Sequence, residues 1–82
     1  MKTLDTAQEG IALQVKQVRS HPQLTDCDEQ LMQIGFIPGE LVTVKRRARS
    51  ERNPIVVRIG GATFALRQEE ASCILVEKGN NS

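Results

Sequence analysis

Aromatic side chains are almost missing from this sequence. Phe36 and Phe64 are the only two, and there is no Trp or Tyr. Proteins that grip single strands of nucleic acid by base stacking need aromatic platforms, so nucleic acid is not an expected partner. Long apolar runs are also missing. Nothing approaches the roughly 18 consecutive apolar residues that span a bilayer, and direct membrane insertion is not expected. The stretch Met1–Gly10 is polar and lacks the apolar centre of a secretion signal, which makes the cytoplasm the expected compartment. Cysteine is scarce: Cys27 and Cys73 form no CxxC pair, and a reducing compartment keeps two such thiols free. His21 is the lone histidine. With no nucleophile–base pair and no glycine-rich phosphate loop, neither a hydrolytic triad nor nucleotide hydrolysis is expected, and the chain reads as no enzyme.

What remains is one small domain. Eighty-two residues with 39% hydrophobic and 26% charged content are ordinary for a globular chain. The expected unit is residues 1–82, with an ordered core from about 9 to 78 and residues 1–8 as a loose lead-in. From Gly10 the sequence alternates, with Ile11, Leu13 and Val15 on the inward face. Ser20-His21-Pro22 ends that strand, because Pro22 lacks a donor and restricts the residue before it. A short helix follows. Asp26 and Glu29 have capping-box spacing, Leu31 and Ile34 form its apolar face, and Gly35 stands where a left-handed stop is needed. Pro38-Gly39 marks a turn.

Strand character resumes at Leu41, with Val42, Val44 and Ala48 inward and Arg46 marking where the strand leaves the core. After a polar turn at 50–54, Ile55, Val57 and Ile59 alternate. Gly60-Gly61 is a two-residue hairpin signal. Phe64 and Leu66 continue the inward face, Gln68–Ala71 forms a single helical turn, and Ile74 and Val76 form a last strand before a frayed tail, Gly79–Ser82. About five short strands with tight turns predict a mostly β protein, a small, strongly bent antiparallel barrel with one short helix and one helical turn.

Charge is balanced overall at +1 but unevenly placed. Lys45, Arg46, Arg47, Arg49, Arg52 and Arg58 face only Glu51, a local balance of +5, whereas Asp26, Asp28, Glu29 and Glu40 share a stretch with no Lys or Arg. A basic stretch of this kind shields a strand edge or steers an acidic partner. His21, Asp26, Cys27 and Asp28 match no metal-ligand spacing, so neither metal site nor cofactor is expected. Cys27, at the start of a helix, is expected to carry a lowered pKa. Cys73 is expected to face outward or sit at a strand rim, and Arg67 to pair with Glu69, Glu70 or a carbonyl.

The segment Leu31-Met32-Gln33-Ile34-Gly35-Phe36-Ile37-Pro38-Gly39, followed by Val42 and Val44, resembles the FeoA family of bacterial ferrous iron uptake. A second block carries the resemblance further: Asn53-Pro54-Ile55, Val57-Arg58-Ile59-Gly60, Ala65-Leu66-Arg67, Glu70-Ala71, Ile74 and Val76-Glu77. Together they cover roughly Gly10 to Glu77. Gln30 and Asn53 depart from the family pattern, which often has Arg and Asp there. The resemblance implies an SH3-like barrel in a cytoplasmic accessory protein that modulates FeoB, the membrane iron transporter with a cytoplasmic GTPase domain. Alternatives are a small ferrous-ion carrier and an SH3-like module contacting an iron-responsive repressor. The candidate partner surface is the helix and its following turn, through Leu31, Met32, Phe36 and Ile37, with Lys45, Arg46, Arg47 and Arg49 beside it as a steering patch.

Overall fold

The computed structural model describes residues 2–47, 49–50 and 53–79. Its elements in chain order are β1 (Lys2–Thr3), a 3-10 turn at Leu4–Thr6, β2 (Ala12–Val18), α1 (Cys27–Gln33), β3 (Leu41–Arg46), β4 (Ile55–Ile59), β5 (Ala62–Leu66), α2 (Gln68–Ala71) and β6 (Ile74–Lys78). All pairings between these strands are antiparallel, in one sheet of order β1-β6-β2-β3-β4-β5. The inward residues of β2 to β6 share a single apolar cluster. A six-stranded sheet can converge on one small core only by curling. Register shifts between Val15 and Gln17 in β2, and between Val44 and Arg46 in β3, supply local bends. The second shift falls where the sequence places Arg46 at the exit from the core.

The expected strands are all present, and the Gly60-Gly61 hairpin pairs Ile59 with Ala62. Val42, Val44, Ile55, Val57, Ile59, Leu66, Ile74 and Val76 are buried as alternation predicts, and Phe64 is partly buried against them. Four expectations need correction. Residues 2–8 are no loose lead-in: β1 pairs with β6, and Leu4 and Ala7 are among the most buried residues. A two-residue strand has too little length to show a period. Ile11 is exposed, because β2 begins one residue later, after Gly10 turns at φ +80°. Gly79 is a buried residue that donates its N–H to the Ala12 carbonyl at 3.2 Å, not part of a frayed tail. Ile34 is exposed, and the inward helix face is Cys27 with Leu31, four residues apart. Ala48, Glu51 and Arg52 lie outside the described residues.

The start of α1 also departs from its expected chemistry. Asp26 adopts a left-handed conformation, φ 60°, and its side chain caps nothing. It contributes only its carbonyl, which accepts the Gln30 N–H at 3.0 Å. Asp28 and Glu29 still complement the helix dipole in the first turn. The far end follows the expected logic closely. Gly35 is left-handed at φ +121°, its N–H donates to Met32 O at 3.1 Å, and the Phe36 N–H donates to Leu31 O at 3.0 Å. These two bonds are the Schellman arrangement, and Leu31 and Phe36 both belong to the buried apolar cluster. A Cβ at Gly35 would meet only Ile59 Cγ2, at 3.9 Å. The cost of Gly35→Ala is therefore conformational, not steric. It is expected to lower stability by about 1–3 kcal/mol, read as a lowered urea midpoint with an unchanged slope.

Candidate interaction surface

Ile37, Pro38, Gly39 and Glu40 form a tight turn after α1. The Glu40 N–H donates to Ile37 O at 3.1 Å, and Gly39 has φ +97°. Pro second and a positive-φ Gly third is the type II pattern. Two further bonds latch the turn to β2: Gly39 N–H to Val15 O at 2.8 Å, and Val15 N–H to Glu40 O at 2.9 Å. The backbone is thus held on both sides, and its apolar side chains are held outward. Met32 is 43% exposed, Ile37 41% and Leu41 56%, with Ile34 exposed among them. Four large apolar side chains facing water within one short stretch are a candidate recognition surface.

Leu31 and Phe36 do not belong to this surface. Phe36 is 0% exposed and Leu31 is buried, so neither can touch a partner without unfolding. Phe36 is instead a core side chain, its ring 6.0 Å from that of Phe64 at 54°. Phe36 joined the candidate surface only as part of the helix-and-turn segment, where alternation gives no side. Ile34 and Leu41 are the residues that reasoning missed. Ile34 sits one residue past the last helical turn, and its burial depends on where the helix ends.

Lys45, Arg46, Arg47 and Arg49 are all exposed. Arg46, Arg47 and Arg49 line a cleft of about 450 Å³ with Asn53, Pro54 and Val56. Glu9 reaches this region, where its Oε2 accepts the Arg47 N–H at 2.8 Å. The basic group is not beside the apolar turn. The turn adjoins Leu41 at one end of β3, whereas Arg46 ends the strand at the other. Five residues of strand rise separate them by about 16 Å. Charge and apolar contact are therefore two separate parts of the surface.

The remaining candidates have structural roles. His21 Nδ1 accepts the Gln23 N–H at 3.0 Å, within a loop. Glu70 accepts the Arg67 N–H at 2.7 Å and lies 3.6 Å from Arg67 Nε, the pairing expected for Arg67. Arginine has donors only, so this is half of a capping box. Among the described residues, no three His, Cys, Asp or Glu side chains converge as metal ligands. No helix among them is long and apolar enough to cross a membrane.

Both thiols are free, as expected. Cys73 is buried, not outward, and stands at the rim of β6, immediately before Ile74. The lowered pKa expected for Cys27 is what fails. The Cys27 thiol is pushed up from 9.0 to about 11, by burial first and then by the neighbouring Cys73. Desolvation of the thiolate outweighs a short helix's dipole. The folded protein thus resists ionising Cys27 where the unfolded chain would not. Stability is fully present below pH 9.0 and is lost as pH rises towards 11. Cys27→Ala is expected to flatten that alkaline loss, measured as urea midpoints at pH 8, 9.5 and 10.5, about the range of the shift.

The fold and its exposed turn define a class of small β module with an SH3-like architecture. The FeoA domain model matches residues 2–78, and the chain belongs to the FeoA family. A solved structure of FeoA from Stenotrophomonas maltophilia with zinc superposes with a TM-score of 0.83 at 26% identity, covering 94% of this chain and 91% of that one. That protein is described as an SH3-domain protein and a candidate activating factor for ferrous iron transport. The iron(II) transport protein A of Clostridium thermocellum matches at TM-score 0.76 and 30% identity, covering 94% of this chain and 45% of that one. A manganese-dependent transcriptional repressor shares the fold, with TM-score 0.80 at 21% identity over 94% of this chain and 41% of its own. A comparison with curated proteins gives no match.

Proposed function

We propose that this chain is a non-enzymatic, cytoplasmic accessory protein of bacterial ferrous iron uptake, acting by contact with an FeoB-like transporter at its cytoplasmic GTPase domain. Membership of the FeoA family supports the system. The observation that carries the mode of action is the rigidly latched turn exposing Met32, Ile34, Ile37 and Leu41. Such a surface modulates a transporter by binding one of its states better than another. The exposed apolar residues act as the anchor, and Lys45, Arg46, Arg47 and Arg49 steer approach.

The separation of the two parts makes the reading testable. About 16 Å along β3 exceeds the Debye length of about 8 Å at physiological salt. The basic end therefore acts on encounter, with little effect on the docked apolar contact. Reversing Arg47 and Arg49 to Glu is expected to slow association by roughly tenfold and flatten its salt dependence. Met32→Asp is expected to raise the dissociation rate by roughly tenfold or more, with association nearly unchanged. Surface-plasmon kinetics against the transporter's cytoplasmic domain at two salt concentrations read both. Wild-type rates for both variants would remove the surface from consideration.

A further inference from the structure

The sheet has two edges. β1 is only two residues long and carries Lys2, and both features blunt an edge against further pairing. The other edge is β5, which has neither device. Its five residues hold no charge and no proline, and its register with β4 runs from Ile59↔Ala62 to Ile55↔Leu66 without a bulge. The Gly60-Gly61 turn fixes which backbone groups of β5 are already bonded. In a two-residue hairpin the flanking residues, Ile59 and Ala62, form a hydrogen-bonded pair, and such pairs alternate along the ladder. Ala62, Phe64 and Leu66 therefore bond to β4, whereas Thr63 and Ala65 point their N–H and C=O groups outward. Among the described residues, no strand lies on that side and no backbone group meets them there.

The chemistry around this edge selects its occupant. Thr63 and Ala65 are exposed on the outer face of the sheet. Thr63 stands opposite Arg58, and Ala65 stands opposite Val56, which in turn stands opposite Arg46. Both arginines are exposed, and only short side chains stand between them and the edge. Between Leu41 and Arg67 there are seven basic residues against Glu51 alone. Glu40 lines the same cleft as Arg58, yet among the described residues no salt bridge joins them. On the inner face Phe64 is only partly buried against the core, so some of it remains open.

We propose that the β5 edge is a docking site for an extended acidic peptide, which adds a strand beside β5. A polypeptide backbone supplies the alternating donors and acceptors that Thr63 and Ala65 lack, and a nucleic acid does not. The added strand lies about 4.8 Å from β5 and about 10 Å from β4. Its side chains alternate between the two faces. Those on the outer face lie beside Thr63 and Ala65. Carboxylates there enter the field of Arg46 and Arg58, with Arg58 reaching over the short Thr63. Those on the inner face cover the open part of Phe64 and are apolar. The recognised segment therefore alternates acidic and apolar residues. Backbone bonds hold it, and the arginines select its charge. This edge is distinct from the apolar turn, which is latched to β2, with β3 and β4 between β2 and β5 in the sheet.

The test uses the full chain, isotopically labelled, and a blocked synthetic peptide of alternating valine and glutamate. No transporter is present, so a failure here leaves the turn contact untouched. Protection from amide exchange follows the bound fraction. About 90% occupancy is expected to slow exchange at Thr63 and Ala65 by about tenfold. A valine–lysine peptide is expected to give no protection. Ala65→Pro deletes an outward N–H and leaves the bonds to β4 in place, and an edge strand accepts proline at such a position. It is expected to weaken peptide binding by roughly tenfold while the urea transition stays cooperative. Arg58→Glu covers the case in which proline disturbs the fold. It is expected to weaken the glutamate peptide and strengthen the lysine peptide, each by roughly threefold. Equal protection by both peptides, protection confined to other amides, or undiminished binding by a folded Ala65→Pro protein would each overturn the proposal. So would protection of Thr63 and Ala65 that rises with protein concentration in the absence of peptide, which makes a second copy the occupant.

Discussion

Val57→Asp is expected to abolish cooperative folding. Val57 is fully buried at the middle of β4, paired with Val44 of β3 on one side and Phe64 of β5 on the other. A carboxylate there has no cation and no donor to meet it. Burial of an unpaired charge costs several kcal/mol even after the group protonates, and a protonated carboxyl remains an unmet polar group. An 82-residue domain has roughly 4–12 kcal/mol of stability to lose. The outcome is a chain with no sigmoidal urea transition and little strand signal in far-ultraviolet circular dichroism. Val56→Asp is the matched control, since Val56 lies on the half-buried opposite face of the same strand. It should keep a cooperative transition. A Val57→Asp protein with the wild-type midpoint would show that the inward face of β4 is misassigned.

The second large effect is at Phe36. Phe36→Ala removes the largest fully buried side chain, together with its tilted contact to Phe64. Large-to-small changes of an aromatic core residue cost about 3–5 kcal/mol. Each kcal/mol shifts the melting midpoint of a domain this size by about 4–8 °C. Phe36 also closes the helix stop through its N–H bond to Leu31 O, so fraying of α1 adds to the cavity cost. Ile37→Ala, one residue on, removes an exposed side chain and is expected to change stability by no more than about 0.5 kcal/mol. The contrast separates core from surface within one dipeptide. Near-neutral Phe36→Ala with destabilising Ile37→Ala would mean that the turn faces the other way.

The two substitutions also mark where sequence reasoning worked. Val57 was legible because β4 alternates cleanly, and a period of two leaves one choice of face once Ile55 and Ile59 are inward. Gly35 was legible because a positive φ at a helix end has few other solutions. Phe36 and Ile37 were not separable, since no period runs through a turn. Ile34 was misplaced because α1 has only seven residues, and a helix that short lets its final apolar residue fall outside the inward stripe. Cys27 took that place instead, a residue that sequence reading treats as chemistry before packing.

The family resemblance rested on two blocks that the fold uses throughout: the α1 stop with its turn, and the β4–β5 hairpin with α2 and β6. Both blocks are dominated by short-range requirements, such as left-handed glycines, a proline and alternating apolar residues. Requirements of that kind are written in adjacent residues. The candidate surface was legible in part. Met32 and Ile37 were found, while Leu31, also read as the inward helix face, and Phe36 were counted in and are core.

By itself, then, the sequence determined the strands β2 to β6, the helix stop, the hairpin and an uneven distribution of charge, because each depends on residues a few positions apart. Only the tertiary structure decided the rest. It paired Lys2–Thr3 with β6 and buried Leu4, since partner strands so far apart leave no local pattern. It put the basic residues at the opposite end of β3 from the apolar turn, because pairing fixes direction as well as face. It also put Cys27 and Cys73 into one buried cluster, two distant chain positions that only the curling of the sheet around one core brings into the same interior.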